Sequence, residues 1–199
     1  MRRVCQTVID AKGKIVNTYR LNFKSHRFAG GGVSAWLAGL AGALLFLSAA
    51  SPVHALEQGA NAPEFDVSGA NGNVKLSALR GKLVYLDFWA SWCGPCKRSF
   101  PWMNEMQKRY GAQGLQVVAV NLDAKHGDAL DFLASTPATF TIGFDPAAGV
   151  ARSYGVKGMP SSLLIGPDGH VIALHEGFND NDRAELEGRI AANLKHVAQ

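Results

Sequence analysis

Two stretches of nearly unbroken apolar residues organise the chain. Residues 82–89 (KLVYLDFW) and 115–122 (LQVVAVNL) lack the polar alternation of a half-exposed strand. Each predicts a central strand covered on both faces. Between them Phe100, Met103, Met106 and Tyr110 recur every three or four residues. That period predicts a helix over residues 96–110, which Pro101 should kink.

The flanking pattern completes an α/β domain. Residues 58–73 read as loop around a short strand at 64–67, and residues 77–81 as one helical turn closed by Gly81. A short helix is expected over 127–135 with Leu130, Leu133 and Ala134 inward, then a strand at 140–144 and a helix at 147–154 ending at Gly155. Residues 161–165 and 170–174, joined by Gly-Pro-Asp-Gly, predict a hairpin. The last helix opens near Asn181 or Asp182 and carries Leu186, Ile190 and Leu194 inward. Strands first alternate with helices and then pair under a terminal helix, which implies a central mixed sheet flanked by helices.

Charge separates a leader from this domain. Residues 1–55 hold seven basic residues and one acidic, the remainder thirteen basic and fifteen acidic. The domain at 56–199 is slightly acidic, which argues against nucleic-acid binding. Behind the basic segment lie an apolar run at 36–47 and a Val53-His54-Ala55 end. This is the layout of a signal peptide cleaved after Ala55, or of an N-terminal membrane anchor. Both export the domain. Cys5 falls in this leader, leaving Cys93 and Cys96 alone in the domain.

Cys93-Gly94-Pro95-Cys96 stands at the predicted helix start. Two thiols at that spacing can bond when oxidised, and the helix dipole favours a thiolate there. Cys93, at an exposed helix entrance, would attack a substrate disulfide, and Cys96, one turn in, would resolve the mixed disulfide. Pro95 suits an early helical position. Zinc wants about four ligands and no second cysteine pair is present. A structural bridge across so short a loop removes little chain entropy. An idle dithiol is unusual in an exported protein. No metal and no cofactor beyond the redox-active pair are expected.

Residues 86–97 (LDFWASWCGPCK) resemble the active-site segment of thioredoxins. With the export signal and residues 155–171 (GVKGMPSSLLIGPDGHV), the chain resembles TlpA-like thiol–disulfide oxidoreductases of the bacterial periplasm or envelope. The resemblance implies a thioredoxin-like fold and a cis-proline, matched by Pro160, with the Met159 backbone turned toward the cysteines to hold a substrate strand. It also implies that Asp87 is a buried acid–base partner of Cys96, its pKa raised by desolvation. Trp92, Gly94, Pro95 and Met159 are the expected substrate contacts, and Trp89 a core residue. His126, His170 and His175 fit no ligand spacing and read as surface or packing residues.

Two departures bear on the substrate. Ser99 stands where some members carry an acidic residue, and Ser161 where cytochrome c maturation thioredoxins often carry Glu. Both weigh against a dedicated apocytochrome role. The family's insertion is expected within residues 122–141. Two rivals stay open: a thiol peroxidase of the same superfamily, and a copper-handling protein using the two thiolates. Gly-Pro between the cysteines resembles low-potential thioredoxins, so the expected direction is reduction of protein disulfides. A reductase in an oxidising compartment needs electrons, which implies a membrane-embedded thiol carrier of the DsbD type. The domain is expected to act as a monomer.

Overall fold

The computed structural model describes residues 5–9, 15–19 and 56–195. The chain divides into two units, Met1–Ser51 and Pro52–Gln199. In the first, β1 (Cys5–Ile9) and β2 (Ile15–Tyr19) pair antiparallel, with Cys5 opposite Tyr19 and Ile9 opposite Ile15. The hydrophobic pattern predicts no element there. The apolar run at 36–47 and the expected cleavage position after Ala55 lie outside the described residues. Among the described residues no helix is long and apolar enough to cross a membrane.

A seven-stranded mixed sheet forms the second unit. Its strands are β3 (Asp66–Gly69), β4 (Val74–Lys75), β5 (Leu83–Trp89), β6 (Leu115–Asn121), β7 (Thr141–Phe144), β8 (Ser161–Ile165) and β9 (Val171–Glu176). They lie in the order β4-β3-β7-β6-β5-β8-β9. β5, β6 and β7 run parallel, while β3 pairs antiparallel to β7 and β8 to β5. All seven residues of β5 are buried, as its unbroken apolar run requires of a strand covered on both faces.

Alternation along β5 splits the core in two. Leu83, Tyr85 and Trp89 face α1 (Gly94–Tyr110), α2 (His126–Ser135) and α4 (Asp182–Leu194). Val84, Leu86 and Phe88 face the other way, toward Ala151 of α3 (Gly149–Ser153) and Tyr154. Asp145 starts α3: its carboxylate accepts the amides of Gly149, Val150 and Ala151 at 3.0, 2.8 and 3.3 Å. These are N–H groups that a helix start leaves unpaired.

Three local expectations need correcting. The strand expected at 64–67 lies two residues later and folds back on β4, whose two residues are too few for a readable alternation. α1 begins at Gly94, before the first of its apolar repeats, because Cys93 caps it and Pro95 fits its first turn. It continues through Pro101 to Tyr110. The inward face of α2 is Ala129 and Phe132, with Leu133 half-buried against the core as expected, but not Leu130, which is 49% exposed. Ala134 is also exposed. Phe132 decides the rotation, packing 4.8 Å from Trp89 and 5.0 Å from Phe100 between ring centroids.

Candidate active site

β5 ends at Trp89, and the chain turns through Ala90–Trp92 to deliver Cys93 to the start of α1. Cys93 takes an extended backbone, φ −81° and ψ 100°, as an N-capping residue does. Its Sγ accepts the Cys96 amide at 3.2 Å. The two cysteines are joined by a disulfide, with Cα atoms 5.3 Å apart. No acidic residue lies in the first turn of α1, so nothing there offsets the positive end of the helix dipole. On reduction that end favours a thiolate at Cys93.

Exposure departs from expectation at Cys93. It is 4% exposed rather than an open helix entrance, and Cys96 is 0% exposed. The surface around the pair is supplied by Trp92, 73% exposed, and by exposed Gly94, with Pro95 half-buried. An open groove of about 460 Å³ runs past Trp92, Cys93 and Gly94 to Asp128 and Asp131 of α2. The segment expected to hold the family insertion, 122–141, thus contributes one wall of the groove through α2.

The turn is pinned from behind by residues that the sequence reading passed over. Ser91 donates to the Asp123 carboxylate through both its amide and its hydroxyl. Asn121 Nδ2 donates to the same carboxylate at 2.7 Å, and the Asp123 amide returns to Asn121 Oδ1 at 3.0 Å. Asn121 and Asp123 are buried. The available signal was positional: polar residues closing an apolar strand parallel to β5, at the carboxyl end where α/β sheets place their sites.

Asp87 sits in β5 between Tyr85 and Trp89 in the alternation, hence on the face covered by α1. It is 1% exposed and its Oδ2 has no hydrogen-bond partner. Burial alone holds its carboxyl well above the ordinary carboxylate range. Trp89 packs at 4.9 Å from Phe100 and is 0% exposed, a core residue as expected.

The Met159–Pro160 peptide is cis. Ser161, next in the chain, lies opposite Phe88, so Pro160 occupies the end of the sheet from which the Cys93 turn departs. Met159 is half-buried against the core cluster that contains both cysteines. Ser99 Oγ donates to the Cys96 carbonyl at 3.0 Å and Ser161 Oγ to the Gly158 carbonyl at 2.7 Å. Both hydroxyls satisfy local backbone. Of the histidines, His126 stacks edge-on to Phe144 at 4.3 Å, and His170 pairs with Asp168 at 3.1 Å.

Residues 57–190 match the Redoxin family model. The chain is 36% identical over 123 residues to the thiol-disulfide oxidoreductase ResA of Bacillus subtilis, covering 61% of this chain and 69% of that protein. It is 31% identical over 150 residues to the protein of the same name from Bacillus cereus, covering 75% and 87%. A Chlorobium tepidum structure provisionally named thiol:disulfide interchange protein DsbE superposes with TM-score 0.69 at 58% identity. That match covers 70% of this chain and 99% of that one.

Proposed function

Because the chain belongs to the Redoxin family and is a TlpA-like thiol–disulfide oxidoreductase of the thioredoxin superfamily, we propose that it reduces protein disulfides through Cys93 and Cys96. The observation that carries this reading is the bonded pair at the start of α1, at the sheet end that also bears Met159–Pro160. Cys93 attacks the substrate disulfide, and the substrate sulfur leaves as a thiolate. Cys96 then gives its proton to Asp87, attacks Cys93 and closes the internal disulfide. Trp92, Gly94, Pro95 and the Met159 backbone form the surface that meets the substrate segment.

The reduced pair is restored by a second dithiol, and a membrane thiol carrier of the DsbD type fits an exported domain. The basic segment and apolar run at 1–55 support export to the periplasm, by a cleaved signal or an anchor. Insulin reduction by the purified protein with dithiothreitol tests the activity, and absence of turnover above the Cys93→Ser variant rejects it. Thiol trapping in cells with and without such a carrier tests the direction. A pair oxidised in both backgrounds rules out the reductase reading.

A further inference from the structure

A line of polar side chains crosses three strands on the face under α1 and α4. Asp87 on β5 stands opposite Ser162 on β8, and Ser162 stands opposite His175 on β9. Opposed residues of antiparallel strands share a face, with Cβ atoms about 4.5–5.5 Å apart. The neighbouring row two residues along, Tyr85, Leu164 and Ala173, packs in the core cluster of that face. Apolar packing would suit the whole face, yet one row carries a carboxyl, a hydroxyl and an imidazole.

The line runs from the interior to the surface. At its inner end Asp87 Oδ2 is buried without a partner. Ser162 is 3% exposed and lies against the Tyr85 phenol. A cavity of about 30 Å³ is bordered by Tyr85, Ser162, His175 and Arg189. A water needs only about 10–15 Å³ of such space. At the outer end His175 Nε2 is 3.3 Å from Asp182 Oδ2, with side chains 24% and 19% exposed. Asp182 is held in place by the Asn179 amide and side chain at 2.7 and 2.8 Å.

The charged surroundings suit proton movement. Asp87 has Tyr85 on its own strand and Cys96 in the buried cluster of α1, with no cation shifting it. His175 faces Asp182 and Arg189 of α4 and Tyr85 of β5 across the cavity, and Arg189 is paired with Glu185 at 2.9 Å.

We propose that Ser162 and His175, with the cavity between them, carry to solvent the proton that Cys96 gives up through Asp87. This rests on the reading of Asp87 as acid–base partner of Cys96. When Cys96 resolves a mixed disulfide, its S–H bond breaks and the Cys93–Cys96 bond forms. The Cys93–substrate S–S bond breaks and its electron pair leaves with the substrate thiolate. The cysteine pair is oxidised, the substrate sulfur is reduced, and one proton is left inside. The resting Asp87 carboxyl must lose a proton before it can take that one. Its proton passes to the Ser162 hydroxyl as the hydroxyl's own proton moves through the cavity to His175. Histidine takes up and releases protons near neutral pH. Asp182 steadies the imidazolium until it gives the proton to solvent.

The test uses reduced full-length protein carrying Cys5→Ser, so that only the pair reacts. The Cys93 thiolate attacks dithionitrobenzoate and releases one thionitrobenzoate, and Cys96 then expels the second. Ser162→Ala and His175→Ala should leave the first release unchanged and slow the second roughly tenfold, less than the about 10²–10⁴ of a direct acid–base group. Ser162→Thr should retain the rate, and free imidazole should restore His175→Ala in proportion to its neutral form. If Asp87→Asn slows the second release while Ser162→Ala and His175→Ala do not, the route is refuted and the role of Asp87 stands. If Asp87→Asn itself leaves that release unchanged, the parent reading fails and the route with it. Slowing without rescue by imidazole assigns His175 a packing role and also overturns the route.

Discussion

Asp123 accepts two hydrogen bonds from Ser91, one from its amide at 2.8 Å and one from its hydroxyl at 2.9 Å. Residues 32 apart in sequence are thereby tied where β6 ends and the Cys93 turn begins. Asp123→Ala should cost about 1–3 kcal/mol, because the half-buried Ser91 donors and the buried Asn121 donor lose their acceptor. It should also alter the iodoacetamide reactivity of reduced Cys93, since the turn loses its rear anchor. Denaturant melts and alkylation rates measure the two effects, and an unchanged alkylation rate would show that the turn holds its shape without Asp123.

Asp87→Asn should change stability in a pH-dependent way. Burial raises the folded-state pKa of Asp87 above the unfolded value near about 3.9. Below the unfolded value both states hold the proton and the wild type carries no penalty. As pH rises, the unfolded chain ionises and the folded carboxyl does not, so wild-type stability falls until the raised pKa is passed. The Asn variant lacks that fall. Its stability relative to wild type should therefore be higher at about pH 8 than at about pH 5, by chemical denaturation of the oxidised forms. A pH-independent difference would contradict a neutral buried carboxyl.

Trp92 and Trp102 should separate function from stability. Trp92 is 73% exposed, so Trp92→Ala should shift stability by no more than about 0.5 kcal/mol. Loss of an exposed aromatic anchor should lower kcat/KM for insulin by roughly fivefold, about 1 kcal/mol, through KM. Trp102 packs at 5.4 Å from Tyr85 and 5.6 Å from Phe178. Trp102→Ala should cost about 3–5 kcal/mol. Equal melting losses in the two variants would be the wrong outcome.

Cys96→Ser should accumulate mixed disulfides between Cys93 and substrate proteins, visible on non-reducing gels. Cys93→Ser should give none, because Cys96 is fully buried. Adducts formed through Cys96 in the Cys93→Ser variant would reverse the assigned order.

Asp145→Ala should cost about 1–2 kcal/mol, as three α3 amides lose their acceptor. It should leave the dithionitrobenzoate reaction of the pair unchanged. A comparable loss of exchange would mean that α3 supports the site.

The sequence revealed whatever was written in runs and in short spacings. β5, β6, the closing hairpin and α4 announce themselves by continuous or four-residue apolar repeats, and Gly169 at φ 86° closes the hairpin turn as its Gly-Pro-Asp-Gly predicts. The cysteine pair was legible for the same reason, and the burial of Asp87 through the resemblance to thioredoxins. What escaped was decided by partners distant in sequence. The rotation of α2 depends on Phe132 meeting Trp89 and Phe100, which no local period encodes. Cys93 is buried at the end of a turn whose Ser91 is bonded to Asp123, 32 residues away. The row Asp87–Ser162–His175 exists only once three strands are in register.

The full burial of Cys96 has a consequence for the lifetime of any conjugate. In the proposed exchange no outside sulfur reaches it, so every partner enters and leaves through Cys93. In the proposed exchange, any molecule captured on Cys93 is held beside an internal thiol that evicts it. The domain thus carries its own release clock, and a captured chain that reacts poorly is set free rather than stranded on the enzyme.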